Sequence, residues 1–490
     1  MKILFVTPEC APMVKTGGLG DVSAALPQAL AARGCDTSIL MPAYGDMALG
    51  GTLSQIVALP AEGPWPAAQL LRIERPQAPD LMLLSCPALY GSAQTPYGDP
   101  SGDIYQQALR FGLLARTAAL IGSADSPCGW QANIVHANDW PCGLAPLYLR
   151  QRRDAGDATA ARSVMTIHNL AFQGVFPMAT ADGLQVQPEH RGMEGAEFWG
   201  ELSMLKAGMQ FADAITTVSP TYAREIQQPA LGFGLDGVLR ARAAHLHGFI
   251  NGIDTAVWNP ASDPFLATPY DAAALDAKAR NTAALREACG LSASGGPLFG
   301  LVGRLTSQKG VDLVLGGAPR LLARGAQLVV LGRGDAALEQ ALADLAARHP
   351  GHVHVSLRFD ESMAHRIEAG ADCFLMPSRF EPCGLNQMYS QVYGTPPLVT
   401  ATGGLADTVQ DVDARLATGT GFVMPGASQA AFDATADRVL VAWGQPSLWK
   451  ALQQRCMQQD FSWERAALPY LALYASLSGD AAPASAGLMP

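Results

Sequence analysis

The chain has 490 residues, 49% of them apolar and 16% charged, with a formal net charge of −10 and a pI near 5.4. At roughly 100–200 residues per domain this length predicts two to four domains, with apolar residues enough for large cores. The acidic balance and the lack of any basic run exclude a nucleic-acid partner, and no stretch reaches the ~20 consecutive apolar residues of a membrane span.

Nine cysteines, at 10, 35, 86, 128, 142, 289, 373, 383 and 456, are scattered singly and form no C-x-x-C pair. That is the usage of a reduced, cytoplasmic protein rather than of a disulfide framework. The four strongly apolar residues between Lys2 and Thr7 are too few for a signal-peptide core. No His, Cys, Asp or Glu spacing fits a metal site, so no metal and no cofactor is expected.

Taken in chain order, the first half alternates strand-like and helix-like patterns. Strand-like runs fall at 3–6, 38–41, 81–84, 133–136, 164–168 and 214–219. After the first comes Lys15-Thr16-Gly17-Gly18-Leu19-Gly20-Asp21, which opens a helical pattern from Val22 to Arg33 with Gly34 as its stop signal. Pro27 interrupts that pattern and predicts a kink. The lysine precedes the glycines, so the loop is neither a P-loop nor a dinucleotide fingerprint; a plain tight turn and a diphosphate cradle both fit. Residues from about 60 to 102 are rich in Pro, Gly and Ser and predict a strand-poor insertion. His136-Ala137-Asn138-Asp139-Trp140 and Thr166-Ile167-His168-Asn169 close two strands, which predicts a shared wall of a binding cleft.

A junction is expected near 247–254, where Asn251-Gly252 is a turn signal. Beyond it, apolar runs recur at 298–302, 327–331, 352–357, 373–376, 397–399 and 422–424. Val311, Leu315, Ala318 and Leu322 follow a helical period that ends at Gly325. Three strand-to-helix turns carry charge or glycine. Gly303-Arg304-Leu305-Thr306-Ser307-Gln308-Lys309-Gly310 offers two cations that could neutralise a pyrophosphate. Ser378-Arg379-Phe380-Glu381-Pro382-Cys383-Gly384-Leu385 places a carboxylate where sugar hydroxyls could donate to it, although a helix-start Glu favoured by the dipole is the simpler alternative. Thr402-Gly403-Gly404-Leu405-Ala406-Asp407 adds a further glycine turn. Such turns in an open parallel sheet are where ligands bind, because glycine lets amides approach an anion at a helix start.

In this order the motifs resemble the bacterial glycogen synthase and plant starch synthase family, and the match spans almost the whole chain. Ile215-Thr216-Thr217-Val218-Ser219-Pro220 and Asn251-Gly252-Ile253-Asp254 belong to it as well. The resemblance implies an α/β fold of the GT-B type, two Rossmann-like doubly wound domains facing a central cleft. It implies an N-terminal, acceptor-side domain over 1–250, rejoined by 462–477, a nucleotide-sugar domain over 251–461, and a disordered tail over 478–490.

The same resemblance implies a retaining hexosyltransferase that moves glucose from ADP-glucose to the non-reducing 4-hydroxyl of an α-1,4-glucan such as glycogen. Arg304 and Lys309 would bind the diphosphate, and Lys15 with Gly18 would close over it. Glu381 and His168 would hold the donor glucose, with Asp139 and Asn251 nearby; Glu381, His168 and Asp139 form the expected catalytic set. Gly17, Asp21, Phe359, Cys383, Gly384, Leu385, Thr402 and Gly403 complete the substrate-binding set.

Several positions depart from the family pattern. Phe359 stands where a Tyr would stack on adenine, Asn386 replaces a common Thr, and Thr400 stands where an Arg is frequent. Tyr389 occupies the place of a second Glu found in related retaining transferases, so no role can be borrowed for that carboxylate. A related transferase with another donor or acceptor and a glucan-binding pseudoenzyme are the rival readings.

Overall fold

The computed structural model describes residues 1–45, 47, 51–91, 96–97, 102–293 and 295–479. The chain divides into two compact units, Met1–Gly252 together with Trp463–Pro490, and Ile253–Ser462.

The first unit is built on a nine-stranded sheet. Its strands are β1 (Lys2–Val6), β2 (Asp36–Pro42), β3 (Thr52–Leu59), β4 (Ala68–Glu74), β5 (Asp80–Ser85), β6 (Ile134–Asn138), β7 (Arg162–Ile167), β11 (Ala214–Thr217) and β12 (Leu246–Gly248). They lie in the order β12-β11-β7-β6-β1-β2-β5-β4-β3. Pairing is parallel from β12 to β5 and antiparallel across β5-β4-β3. Strands β1 and β6 are buried along nearly their whole length, as sheet covered on both faces demands. A separate small sheet holds β8 (Val175–Pro177), β9 (Glu197–Phe198) and β10 (Glu201–Ser203) in the order β8-β10-β9.

Two expectations need correction here. The segment from 60 to 102 is not strand-poor: β4 and β5 lie within it, and β4 pairs with β3, which sequence periodicity missed. Most of β3 faces solvent, so it carries no apolar period to read. The helix after the first glycine loop begins at Gly18 rather than Val22 and continues through Pro27 to Ala31, with Gly34 (φ 86°) in the turn that ends it.

The return to the first unit starts at Trp463. A Cβ on Gly252 would lie 2.8 Å from the Trp463 ring, so only glycine lets the outgoing and returning chains pass this closely. The helix Leu468–Ser478 then buries Tyr470 and Tyr474 in the unit. The disordered tail was expected from 478, but Ser478 closes this helix; residues 480–490 lie outside the described residues.

The second unit has six parallel strands: β13 (Leu298–Val302), β14 (Gln327–Leu331), β15 (Val353–Ser356), β16 (Cys373–Met376), β17 (Pro397–Thr400) and β18 (Phe422–Met424). Their order is β15-β14-β13-β16-β17-β18. The helix Val311–Ala323 turns Val311, Val314, Ala318 and Leu321 into the core, while Leu315 and Leu322 of the expected face pack at its margin. A Cβ on Gly317 would lie 2.3 Å from the Phe432 ring, so this glycine sets how near the helix Gln429–Trp443 can pack.

Both sheets reverse winding direction beside their first strand, between β1 and β6 and between β13 and β16. Ligands of doubly wound sheets sit outside the carboxyl ends of the strands at such points. No helix among the described residues is long and apolar enough to cross a membrane.

Candidate active site

In the first unit, the turns after β1, β6 and β7 bring together the Lys15 loop, Asn138-Asp139 and His168. The loop is anchored by a residue that sequence reasoning missed. Glu9 is 1% exposed, and its carboxylate accepts from the Thr16 amide (3.0 Å), the Thr16 hydroxyl and the Gly20 amide (3.0 Å). Burial raises its pKa against the opposing effect of these hydrogen bonds. One carboxylate thus ties both ends of the turn. The Gly17 and Gly18 amides stay unclaimed by protein among the described residues. Lys15 pairs with Asp21 at 2.8 Å, both partly exposed. The only sequence signal for Glu9 was a lone carboxylate in a Pro- and Cys-containing stretch just past a buried strand.

Asp139 has φ 54° and ψ 180°, an extended positive-φ conformation that only glycine enters readily and that costs a non-glycine residue backbone strain. Its carboxylate accepts from the amides of His168 (2.7 Å) and Asn169 (3.4 Å), locking the ends of β6 and β7 together. Burial pushes its pKa up to about 7, with Glu9 adding a smaller upward push. His168 Nε2 lies 2.9 Å from Asn138 Oδ1, and burial pushes the imidazole down to about 3, so it is neutral at pH 7. Asn251, beyond the end of β12, is 5% exposed, and its side-chain oxygen finds no partner among the described residues.

The second expected histidine behaves differently. His136 is fully buried inside β6, with Nδ1 2.6 Å from the Tyr474 hydroxyl and Nε2 bonded to Thr166. It joins the sheet to the returning helix and is no part of a cleft wall.

In the second unit, the turns after β13, β16 and β17 are interleaved. The Lys309 ammonium sits 2.5 Å from the Glu381 carboxylate, and the Ser378 hydroxyl donates to the same oxygen at 3.1 Å. Glu381 is 5% exposed. Its loop is held from both sides. A Cβ on Gly310 would fall 2.1 Å from the Pro377 carbonyl, and one on Gly403 (φ 43°) would fall 1.9 Å from the Glu381 carbonyl. The glycines therefore bring the Glu381 loop to its neighbours, in addition to whatever they leave open for a ligand. The Arg304 guanidinium is exposed and has no protein partner among the described residues.

Cys383 is buried and its carbonyl accepts from Gln387, so its thiol is not a solvent-facing nucleophile. Gly384 (φ 73°) and Leu385 lead into the helix Asn386–Val392, and Thr402 stands at the N-terminal boundary of the next, Gly403–Thr408. Phe359 is 84% exposed just before the helix Glu361–Gly370, open to a stacking partner. The departures from the family pattern have local explanations in two cases. The Asn386 amide donates to the Val302 carbonyl at 2.8 Å, tying its helix to β13. Tyr389 stacks on Trp258 at 3.7 Å, and Trp258 stacks on His365 at 3.8 Å. Nothing in the structure explains Thr400.

Comparison with known proteins decides the family. A model of the starch synthase catalytic domain matches residues 2–241, and one of glycosyl transferases group 1 matches residues 290–451. A glycogen synthase of Paracidovorax citrulli is 63% identical over 482 residues, covering 97% of this chain and 94% of its own. The chain belongs to the glycogen synthase and starch synthase family. A glycogen synthase of Dechloromonas aromatica is 52% identical, covering 97% of this chain and 98% of its own. Among solved structures, the catalytic domain of starch synthase IV from Arabidopsis thaliana, bound to ADP and acarbose, has a TM-score of 0.86 at 30% identity. It is matched over 97% of this chain and 99% of its own, and the fold of this glycosyltransferase is accordingly GT-B.

Proposed function

We propose that this family member elongates an α-1,4-glucan with glucose from ADP-glucose, retaining the α configuration. The observation that carries the proposal is the part-buried Lys309–Glu381 pair at the winding reversal of the second sheet. It supports the reading because a cation of the kind a diphosphate needs stands beside a carboxylate able to accept from sugar hydroxyls, within one set of turns. The glycogen synthases of high identity and the ADP-bound relative support the choice of substrates.

In this reading Arg304 and Lys309 take the diphosphate, and Lys15 with the Gly17 and Gly18 amides adds phosphate contacts. As the bond from C1 to the phosphate oxygen lengthens, negative charge grows on ADP and positive charge on the sugar. Fixed cations stabilise the first, and Glu381 stabilises the second. Neutral His168 and Asn251 offer hydrogen bonds to sugar hydroxyls without adding charge. A covalent glycosyl intermediate needs a carboxylate nucleophile, and the position eight residues past Glu381 holds Tyr389, stacked on Trp258. We therefore favour front-face attack: the acceptor 4-hydroxyl oxygen bonds to C1 on the side ADP leaves, and a departing phosphate oxygen takes its proton. The cations supply the neutralisation a metal would otherwise give, so activity is expected to survive EDTA.

The test is a donor panel of ADP-glucose, UDP-glucose and GDP-glucose with glycogen, followed by ¹H NMR of the extended chains. New α-1,4 linkages from ADP-glucose support the reading. Preference for another donor, or β linkages, would refute it.

A further inference from the structure

The turn joining β9 to β10 is Trp199-Gly200, with φ 53° and 84°. Two successive positive φ angles mark a type I′ hairpin turn, which favours Asn, Asp or Gly at its first position. A bulky aromatic residue there is a backbone outlier, and this one gains little from burial, since Trp199 is 82% exposed. The arrangement is repeated nearby in Phe233-Gly234, with φ 48° and 82° and Phe233 39% exposed.

The two turns touch. A Cβ on Gly234 would lie 3.2 Å from Phe198 Cζ and 3.3 Å from Trp199 Nε1, so the glycine leaves the room that these rings occupy. Phe198 meets the Trp199 ring edge-on at 6.2 Å. The hairpin is braced from below. Glu197 accepts from the Gly200 amide at 2.6 Å, and the Lys206 ammonium donates to the carbonyls of Met193 (2.6 Å) and Glu197. The patch also continues into the candidate site. The Gln173 amide donates to the Phe233 carbonyl at 2.9 Å, and the adjacent Phe172, 53% exposed, donates its amide to the Asn169 carbonyl at 3.2 Å, one residue past His168.

Neither turn chemistry nor core packing accounts for an exposed indole on a strained turn, and strain of this kind clusters at functional sites. We propose that Trp199, with Phe233 and Phe172, forms a stacking platform for an α-glucan chain running on from the His168 side of the site. The C–H face of a pyranose ring carries partial positive charge and fits the negative face of an indole. A polymeric acceptor is longer than the strand-end turns that would hold its terminal sugar, and the patch is continuous with them. This inference rests on the glucan-elongating reading.

The test uses the full-length protein and Trp199→Asn, because Asn suits the left-handed turn position and should preserve or raise the melting temperature. Affinity electrophoresis in glycogen-containing gels, with no nucleotide sugar present, should show about 10-fold weaker retardation, the effect of losing one aromatic anchor. The KM for glycogen should rise by a similar factor while kcat on a two-sugar acceptor stays within about 2-fold, and Trp199→Phe should keep most of the affinity. Unchanged retardation of the Asn variant would overturn the proposal. So would an equal loss of turnover on both acceptors. Wild-type protein that extends maltose from ADP-glucose but is not retarded by glycogen would overturn the platform and leave the transfer reading standing.

Discussion

In the first unit a buried carboxylate, Glu9, spends its charge on backbone and hydroxyl donors of the glycine loop; in the second, the buried carboxylate Glu381 faces a cation, Lys309. Both stand at the winding reversal of a parallel sheet. The difference separates two ways of building a strand-end site. Glu9 fixes the shape of a loop whose own cation, Lys15, stays partly exposed against Asp21. Lys309 and Glu381 are charges placed in advance, so removing one leaves the other uncompensated. Perturbation should therefore cost most in the second unit and least where the first unit uses neutral groups.

The largest effect is expected from Lys309→Gln. It removes a diphosphate cation and leaves Glu381 buried against Ser378 alone, so kcat/KM for ADP-glucose should fall by ~10³-fold. A loss under about 10-fold would show that the pair is structural. Glu9→Gln should act at one remove. An amide cannot accept from Thr16 and Gly20 as the carboxylate does, which costs about 1–3 kcal/mol. The KM for ADP-glucose should rise by about 10-fold with a modest drop in melting temperature, whereas a stability loss with unchanged KM would make Glu9 only a fold residue.

The third effect concerns Asp139 and appears as a pH dependence of stability. Its folded pKa of about 7 lies above the ordinary 3.8, so the folded state binds the proton more tightly than the unfolded state. That contribution is fully present below pH 3.8 and is lost as pH rises toward 7. His168, lowered to about 3, acts in the opposite sense and costs stability as pH falls below 6.5. Asp139→Asn keeps the side-chain shape and an acceptor for the His168 amide. Melting curves of this variant should therefore decline less than wild type between pH 4 and 7. Parallel curves would mean that Asp139 ionises normally.

Much of this was legible in the chain because strand-turn-helix junctions leave compact traces, an apolar run followed by glycine and charge. Arg304, Lys309 and Glu381 were visible for that reason, but their ion pair was not, because it joins residues 72 positions apart through the adjacency of β13 and β16. Glu9 was missed because a single anchoring carboxylate has no period. Strand β3 was missed because most of its side chains face solvent. His136 looked like its neighbour His168 in sequence and differs only in what packs on it, the Tyr474 hydroxyl 338 residues away. The Trp199 turn ran against the turn chemistry that a sequence reading relies on, and only backbone angles expose it.

Glu381→Gln tests the central claim most directly, by comparing turnover with ADP affinity in one variant. If Glu381 stabilises charge that appears in the transition state, kcat with ADP-glucose and glycogen should fall by ~10²–10³-fold. ADP binding, measured by calorimetry, should stay equal or tighten as Lys309 is released to the diphosphate. Near-normal turnover, or an equal loss of kcat and ADP affinity, would contradict the account.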